Sequence, residues 1–256
     1  MQGHKATAVV TGGASGLGAA TARALSARGH AVFALDLTPA IEAAERPPGV
    51  EYLPTDVRVA EEVRSSIAVA AASAAEHRLP LRVAVNCAGT APSMRILGRK
   101  GPHDPELFAR TLAVNLIGTF HVLLYASEAM AGNTATDDGS RGVIVNTASI
   151  AAFDGQMGQV AYAASKGGIV GMTLPAARDL AQHGIRVCTI APGIMETPMF
   201  AAFSRGMKDA LAASVPFPQR LGEAAEFARL VEMIIDHGYL NGETVRMDGA
   251  LRLPPR

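Results

Sequence analysis

Short β-branched runs alternate with longer segments of helical period along the whole chain, and few architectures accept that alternation. A strand that is apolar at successive positions is buried on both faces, and helices between such strands are the crossovers of a parallel sheet. The runs are Ala6–Thr11, Ala31–Asp36, Glu51–Pro54, Arg82–Cys87, Gly142–Ala148, Ile185–Ile190 and Glu243–Met247. Between them the pattern predicts helices over Gly16–Arg28, Val59–His77, Asp104–Met130, Gly158–Gln182 and Glu223–Asp236. In the third helix Leu107, Val114, Ile117, Phe120 and Leu124 fall on one apolar stripe. The expectation is an α/β fold, a doubly wound parallel sheet of about seven strands with helices on both faces. The polar loop Gly132–Arg141 interrupts the pattern without ending it. No repeat or linker divides the 256 residues, so one domain is expected over 1–256.

Charge and composition narrow the function classes. Lys+Arg 23 balance Asp+Glu 23 to a formal net charge of +0, and no basic stripe is visible, which argues against a nucleic-acid partner. No uninterrupted apolar run reaches the ~18 residues of a bilayer span, so no membrane is expected. Met1 to Lys5 lead straight into the first strand, leaving no room for a signal or transit peptide. The two cysteines, Cys87 and Cys188, cannot build a disulfide framework, and a cytoplasmic protein is the expectation. Both cysteines read as small buried hydrophobes inside strands. His4, His30, His77, His103, His121, His183 and His237 lack metal-ligand spacing, so no metal is expected.

The string Thr11-Gly12-Gly13-Ala14-Ser15-Gly16-Leu17-Gly18 stands where the first strand turns into the first helix. Glycine permits positive φ in a tight turn and lets backbone approach a pyrophosphate, while the helix N-terminus offers unpaired N–H groups and a positive dipole. Asp36 ends the second strand about 20 residues further on, where a carboxylate accepts ribose hydroxyls. Its charge repels a 2′-phosphate, and neither Ser15 nor Leu37 supplies a cation to offset that, so NAD is expected over NADP. Asp56 and Val57, past the third strand, are candidates for the adenine amino group and an apolar wall beside the ring.

Tyr162 and Lys166 are four residues apart in a helical pattern, which sets phenol and ammonium on one face. A free phenol titrates near ~10, so work at neutral pH needs a lowering worth ~4 kcal/mol. An ammonium ~4 Å away at an effective dielectric of about 20 supplies about that much. The pair is a candidate general acid/base, and a solvated Tyr/Lys pair on an exposed helix is the alternative. Ser149 follows the Gly142–Ala148 strand at its carboxyl end, the ligand-binding edge of an open α/β sheet, where it can hydrogen-bond a substrate oxygen. Asn146 precedes it. Asn115 lies mid-helix, a poor place for asparagine on propensity.

With these residues the chain resembles the short-chain dehydrogenase/reductase family over essentially its whole length. The resemblance rests on the glycine turn, Asn86-Cys87-Ala88-Gly89, Asn115, Ser149, Tyr162-x-x-x-Lys166 and Pro192-Gly193. It implies a Rossmann-like fold, Tyr162 as proton donor and acceptor, and Lys166 as tyrosine activator and nicotinamide-ribose ligand. Ser149 is implied as stabiliser of the substrate oxygen, and Asn115 as the residue positioning a relay water. Asn86 to Gly89 are implied along the nicotinamide ribose, and Pro192, Gly193, Met195 and Thr197 at the nicotinamide carboxamide. The strings Val215-Pro-Phe-Pro-Gln-Arg-Leu-Gly and Leu240-Asn-Gly-Glu resemble the branch that oxidises (S)-3-hydroxyacyl-CoA to 3-oxoacyl-CoA with NAD, which implies an acyl-CoA substrate and a homotetramer. Met195 and Glu196 depart from that branch, which carries an aromatic and a glycine there.

On the substrate side, residues 194–220 read as an apolar lid through Met195, Met199, Phe200, Phe203 and Met207, with core packing the alternative for each. Gln156 is a candidate hydrogen-bond donor to a thioester or keto oxygen. Arg95, Arg99 and Lys100 are candidates for the phosphates of coenzyme A, or solvated loop charges. Small residues along Val160–Thr173 permit close helix approach within the subunit or across a two-fold interface. A hydroxysteroid or other hydrophobic alcohol would use the same chemistry. A non-catalytic NAD-binding scaffold is the other class, against which the complete Ser149, Tyr162 and Lys166 set argues.

Overall fold

The computed structural model of the chain describes residues 5–77, 79–99, 101–198 and 204–255. Seven strands, β1 (Thr7–Thr11), β2 (Ala31–Asp36), β3 (Val50–Pro54), β4 (Leu81–Asn86), β5 (Gly142–Thr147), β6 (Ile185–Pro192) and β7 (Thr244–Met247), form one sheet. Its order is β7-β6-β5-β4-β1-β2-β3, and every pairing is parallel. The chain winds outward from β1 through β3, returns to lay β4 beside β1, and then winds the other way. The fold is therefore Rossmann-like and doubly wound, with its topological switch point between β1 and β4.

Helices cover both faces, which is why the strands read as unbroken apolar runs. On one face α1 (Gly16–Ala27) packs Ala22 and Leu25 with Phe227, Val231, Ile234 and Ile235 of α8 (Ala224–Asp236), over Val10, Val85 and Val145. Gly29, at φ 85, ends α1 in a left-handed turn, and the neighbouring Arg28 reaches Asp236 of α8 at 2.7 Å. The opposite face belongs to α3 (Ala60–His77), α5 (Gly118–Ala131) and α6 (Val160–Ala181), through Val63, Ile67, Val122, Ala126, Met130 and Ala177. Small residues set the helix approaches. A Cβ on Gly118 would come 2.7 Å from Val57, and one on Gly168 would come 2.8 Å from Leu116, so part of the small-residue pattern serves packing inside the subunit.

The segment expected as one helix over Asp104–Met130 is helical from Pro105 to Ala131, with one irregular turn inside it. Asp104 caps α4 (Pro105–Leu112) by accepting the Glu106 N–H at 2.9 Å, and a π-helical turn at Ala113–Ile117 then slips the ladder by one residue before α5 begins. The expected stripe divides: Leu107 and Val114 are partly buried. Ile117, Phe120 and Leu124 are exposed, while Asn115, Thr119, Leu123 and Met130 face inward. The expectation of no membrane-length segment also needs correction. Pro105–Ala131 is long and apolar enough by length and composition to cross a membrane, because its scattered polar residues end every run without greatly lowering mean hydropathy. In the fold it is the crossover from β4 to β5, with Val122, Ala126 and Met130 buried on the sheet.

Elements the pattern did not mark are short. They include α2 (Thr38–Glu42), α7 (Arg205–Ala213), a hairpin of Leu97–Gly98 with Gly101–Pro102, and a parallel pair of Met195–Glu196 with Gly222–Glu223. Cys87 lies just past β4 instead of inside it, whereas Cys188 is buried within β6.

Candidate active site

Because all strands are parallel, Thr11, Asp36, Asn86, Thr147 and Pro192 end at one edge of the sheet, and the predicted site residues collect there. At the switch point the chain comes too close for side chains. A Cβ on Gly12, which sits at φ 63, would lie 2.8 Å from the Ala88 nitrogen, and one on Gly18 would lie 2.1 Å from the Gly12 carbonyl oxygen. A Cβ on Gly16, at φ 52, would lie 3.6 Å from Thr197, so the segment after β6 lies over the turn.

Ser15 stands at the N-cap of α1 without capping it, and the first turn carries no acidic residue. The first-turn N–H groups of α1 therefore have no side-chain cap beside a glycine cradle, which fits a dinucleotide's pyrophosphate. Leu17 packs partly against the core behind that turn. Asp36 is aimed at it: its carboxylate accepts the Ala14 N–H at 3.0 Å and the Leu37 N–H at 2.8 Å, and the Leu37 side chain is exposed.

Thr11 organises the facing loop, a role sequence reasoning missed. Its hydroxyl oxygen accepts the N–H groups of Cys87 at 3.1 Å and Ala88 at 3.2 Å, and the hydroxyl donates toward Asn86 at 3.4 Å. Asn86 in turn donates to the Asn146 carbonyl at 3.0 Å, leaving the Asn146 amide nitrogen buried without a partner among the described residues. Burial beside this loop pushes the Cys87 thiol up to about 11, which keeps it protonated and unreactive at neutral pH.

The three chemical residues meet where β5 and α6 converge. Ser149, just past β5, holds an extended backbone, and its hydroxyl oxygen accepts the Ala151 N–H at 3.1 Å, opening a one-turn 3-10 helix over Ile150–Ala152. The Ser149 hydroxyl works to lower the pKa of the Tyr162 phenol beside it, but burial outweighs that and holds Tyr162 above its ordinary value. Lys166 is buried, and its ammonium donates to the Thr147 carbonyl at 2.7 Å, with Nζ 5.9 Å from the Tyr162 ring centroid. Burial lowers the lysine to about 8. In the chain alone desolvation governs both groups, and Lys166 is anchored on a main-chain carbonyl that no side-chain motif announces.

Asn115 occupies the π-helical turn, fully buried. Its side chain clamps Thr90, accepting the N–H at 2.8 Å and donating to the carbonyl at 2.9 Å, and it donates to the Ser165 hydroxyl at 2.9 Å. It thereby ties the loop after Gly89 to the helix that carries Tyr162 and Lys166. A Cβ on Gly89 would come 3.3 Å from the Asn115 carbonyl oxygen and 3.7 Å from the Lys166 nitrogen.

Other predicted residues stand differently from expectation. The Asp56 carboxylate is gripped by Arg58 at 2.9 Å, which lowers its pKa. Val57 is buried against Gly118. The Met195 side chain is buried in the core cluster that also holds Phe227. Gly193, following Pro192, donates its N–H to Met247 at 2.9 Å. Gln156 commits one amide hydrogen to the Pro254 carbonyl at 3.1 Å. Arg95 and Arg99 are exposed beside the Leu97–Gly98 hairpin, whereas Met199, Phe200, Phe203 and Lys100 lie outside the described residues. Among the described residues no three His, Cys, Asp or Glu side chains are grouped as metal ligands.

A glycine cradle at the switch point and a Ser, Tyr, Lys cluster at the same sheet edge define a dehydrogenase site, and the short chain dehydrogenase family model matches residues 6–208; the chain belongs to that family. It is 49% identical over 255 residues to 3-hydroxyacyl-CoA dehydrogenase type-2 of Drosophila melanogaster, covering 98% of each chain. To the Homo sapiens protein of the same name it is 48% identical, over 97% of this chain and 95% of that one. A crystal structure of 3-hydroxyacyl-CoA dehydrogenase type-2 from Mycobacterium avium is similar at a TM-score of 0.89 and 39% identity, covering 100% of both chains.

Proposed function

We propose that this chain is an NAD-dependent dehydrogenase that interconverts 3-hydroxyacyl-CoA and 3-oxoacyl-CoA. The observation that carries the chemistry is the meeting of Ser149, Tyr162 and Lys166 beside the glycine cradle. The names of relatives at 49% and 48% identity favour the acyl-CoA substrate. NAD, when bound, supplies the hydride acceptor at its nicotinamide. In this reading the N–H groups around Gly12, Ser15, Gly16, Leu17 and Gly18 hold the pyrophosphate, and Asp36 and Leu37 hold the adenosine ribose, with Val57 at the adenine. Asn86, Cys87, Ala88 and Gly89 line the nicotinamide ribose, and Pro192, Gly193 and Thr197 hold the carboxamide.

The protein's own groups then handle the proton and the developing charge. The Ser149 hydroxyl donates to the substrate oxygen as it becomes alkoxide-like. Tyr162, held protonated by burial, gives its proton to that oxygen during reduction. During oxidation the phenolate takes the proton back, favoured by the neighbouring Ser149 hydroxyl and by the nearby Lys166 cation. Asn115 keeps the helix that carries both groups in register with the loop after Gly89.

Exposed Arg95 and Arg99 beside the hairpin suit the phosphates of coenzyme A. The outward stripe of Ile117, Phe120 and Leu124 suits helix pairing in a homotetramer. Substituting Tyr162→Phe tests the reading: turnover falls by about 10²–10⁴-fold while NADH binding stays within about twofold. A variant that keeps its turnover would contradict the assigned proton donor.

A further inference from the structure

The chain does not stop at its last strand but turns back across the substrate side. After β7 the backbone reverses at Asp248–Leu251, with the Leu251 N–H on the Asp248 carbonyl at 3.0 Å. Gly249 (φ 59) and Ala250 (φ 65) are both left-handed. Alanine takes that conformation at a cost, so something must hold it. Asp248 does so in part, accepting the Ala250 N–H at 3.0 Å, the Arg246 Nε at 2.8 Å and an Arg252 nitrogen at 3.1 Å.

Arg246 is the hub of this arrangement. Its other nitrogen reaches the Asp154 carboxylate at 2.6 Å and the Leu251 carbonyl at 3.2 Å, and its guanidinium lies 5.0 Å from the Phe153 ring centroid. Phe153 and Asp154 close the loop that begins at Ser149. Two further bonds join that loop to the last residues: the Met157 N–H donates to the Pro255 carbonyl at 3.1 Å, and the Gln156 amide to the Pro254 carbonyl at 3.1 Å. A small apolar cluster completes the seam, with Leu251 and Leu253 packed against Ile150, Ile194 and Val215. The Phe217 N–H donates to the Gly249 carbonyl at 3.2 Å. The turn therefore touches both the serine loop and the segment after β6.

We propose that residues 248–255, clamped by Arg246, form a wall of the substrate pocket that orients Gln156 and the Ser149 loop and thereby sets affinity for the acyl substrate. Arg246 acts here as a positioning residue, since its guanidinium is spent on the two aspartates and a carbonyl. The fork geometry matters, because lysine cannot span Asp154 and Asp248 together. The glycine cradle lies across the sheet edge, at β1 and β4, and the seam meets the proposed cofactor residues at Gly193, where a Cβ would come 2.8 Å from Asp248.

The inference rests on the acyl-CoA reading, and two variants test it: Arg246→Gln, and a chain ending at Arg252, which removes the Pro254 and Pro255 carbonyls but keeps the clamp. For both, KM for acetoacetyl-CoA rises about five- to tenfold while the Kd for NADH changes less than about twofold. Arg246→Gln also lowers kcat, and Arg246→Lys recovers only part of the loss. Unchanged KM in both variants, or NADH affinity falling in step with KM, overturns the proposal. If the native chain turns over no acyl-CoA, the substrate reading falls, and hydrogen exchange decides the seam separately. The Met157 amide then exchanges at least about tenfold faster in the shortened chain, and equal exchange overturns the wall.

Discussion

Removing the Lys166 charge should make this protein more stable and nearly inactive. Lys166 is 4% exposed, and burial carries its ammonium from an ordinary 10.5 to about 8. Keeping it charged at pH 7 therefore costs the fold about 3 kcal/mol. Lys166→Met keeps an unbranched apolar stem and removes that cost. It also leaves the Thr147 carbonyl short of a donor, about 1–2 kcal/mol, so the net gain is about 1–2 kcal/mol. For a chain of this size that raises Tm by about 2–6 °C.

The pH dependence has a definite sign. Between about 8 and 10.5 the unfolded chain binds more protons at this residue than the folded one, so the native protein gains stability from it as pH rises through that window. The variant lacks this gain, and its advantage shrinks as pH approaches 10. Cys87, raised to about 11, works in the opposite sense in both chains and largely cancels in the difference. Thermal melts of both proteins at pH 7, 8, 9 and 10 read the effect, with turnover measured alongside. A variant melting at or below the native protein at pH 7, or a gap that does not change with pH, would refute the reasoning.

The glycine cradle, the ribose carboxylate and a buried histidine carry further expectations. Gly18→Ala forces a Cβ to within 2.1 Å of the Gly12 carbonyl, and the variant should lose NADH binding in a calorimetric titration even where it stays folded. Asp36→Ala should raise the Kd for NADH about tenfold or more and narrow its advantage over NADPH, measured by fluorescence titration with both. His30 is buried, with its pKa lowered chiefly by desolvation, so the folded chain resists its protonation. Stability should be full above about pH 6.5 and fall as pH drops below that value, and His30→Gln should flatten denaturant midpoints between pH 7 and 5.

Much of the fold and the site is legible in the amino-acid sequence, for a physical reason. Strands buried on both faces must be apolar throughout, and a turn at a switch point must be glycine, so both leave marks in single residues. Tyr162 and Lys166 are legible because helical period alone sets their faces together. The π-helical turn is not: a one-residue slip of the hydrogen-bond ladder leaves the apolar pattern intact, and asparagine at 115 is its only trace. The Lys166 partner is a main-chain carbonyl, which every residue possesses, so no pattern identifies it. Arg246 meets Asp154 across 92 positions, and Gln156 meets Pro254 across 98, pairings that only the closed fold creates.

The measurement that tests the central claim most directly is NADH oxidation followed at 340 nm, comparing acetoacetyl-CoA with a 3-oxosteroid and a 17-oxosteroid, and NADPH as the alternative donor. The account predicts that kcat/KM is highest for acetoacetyl-CoA with NADH and falls by at least about tenfold when NADPH replaces it. A steroid turned over more efficiently than acetoacetyl-CoA, or no turnover of any of the three, would contradict it.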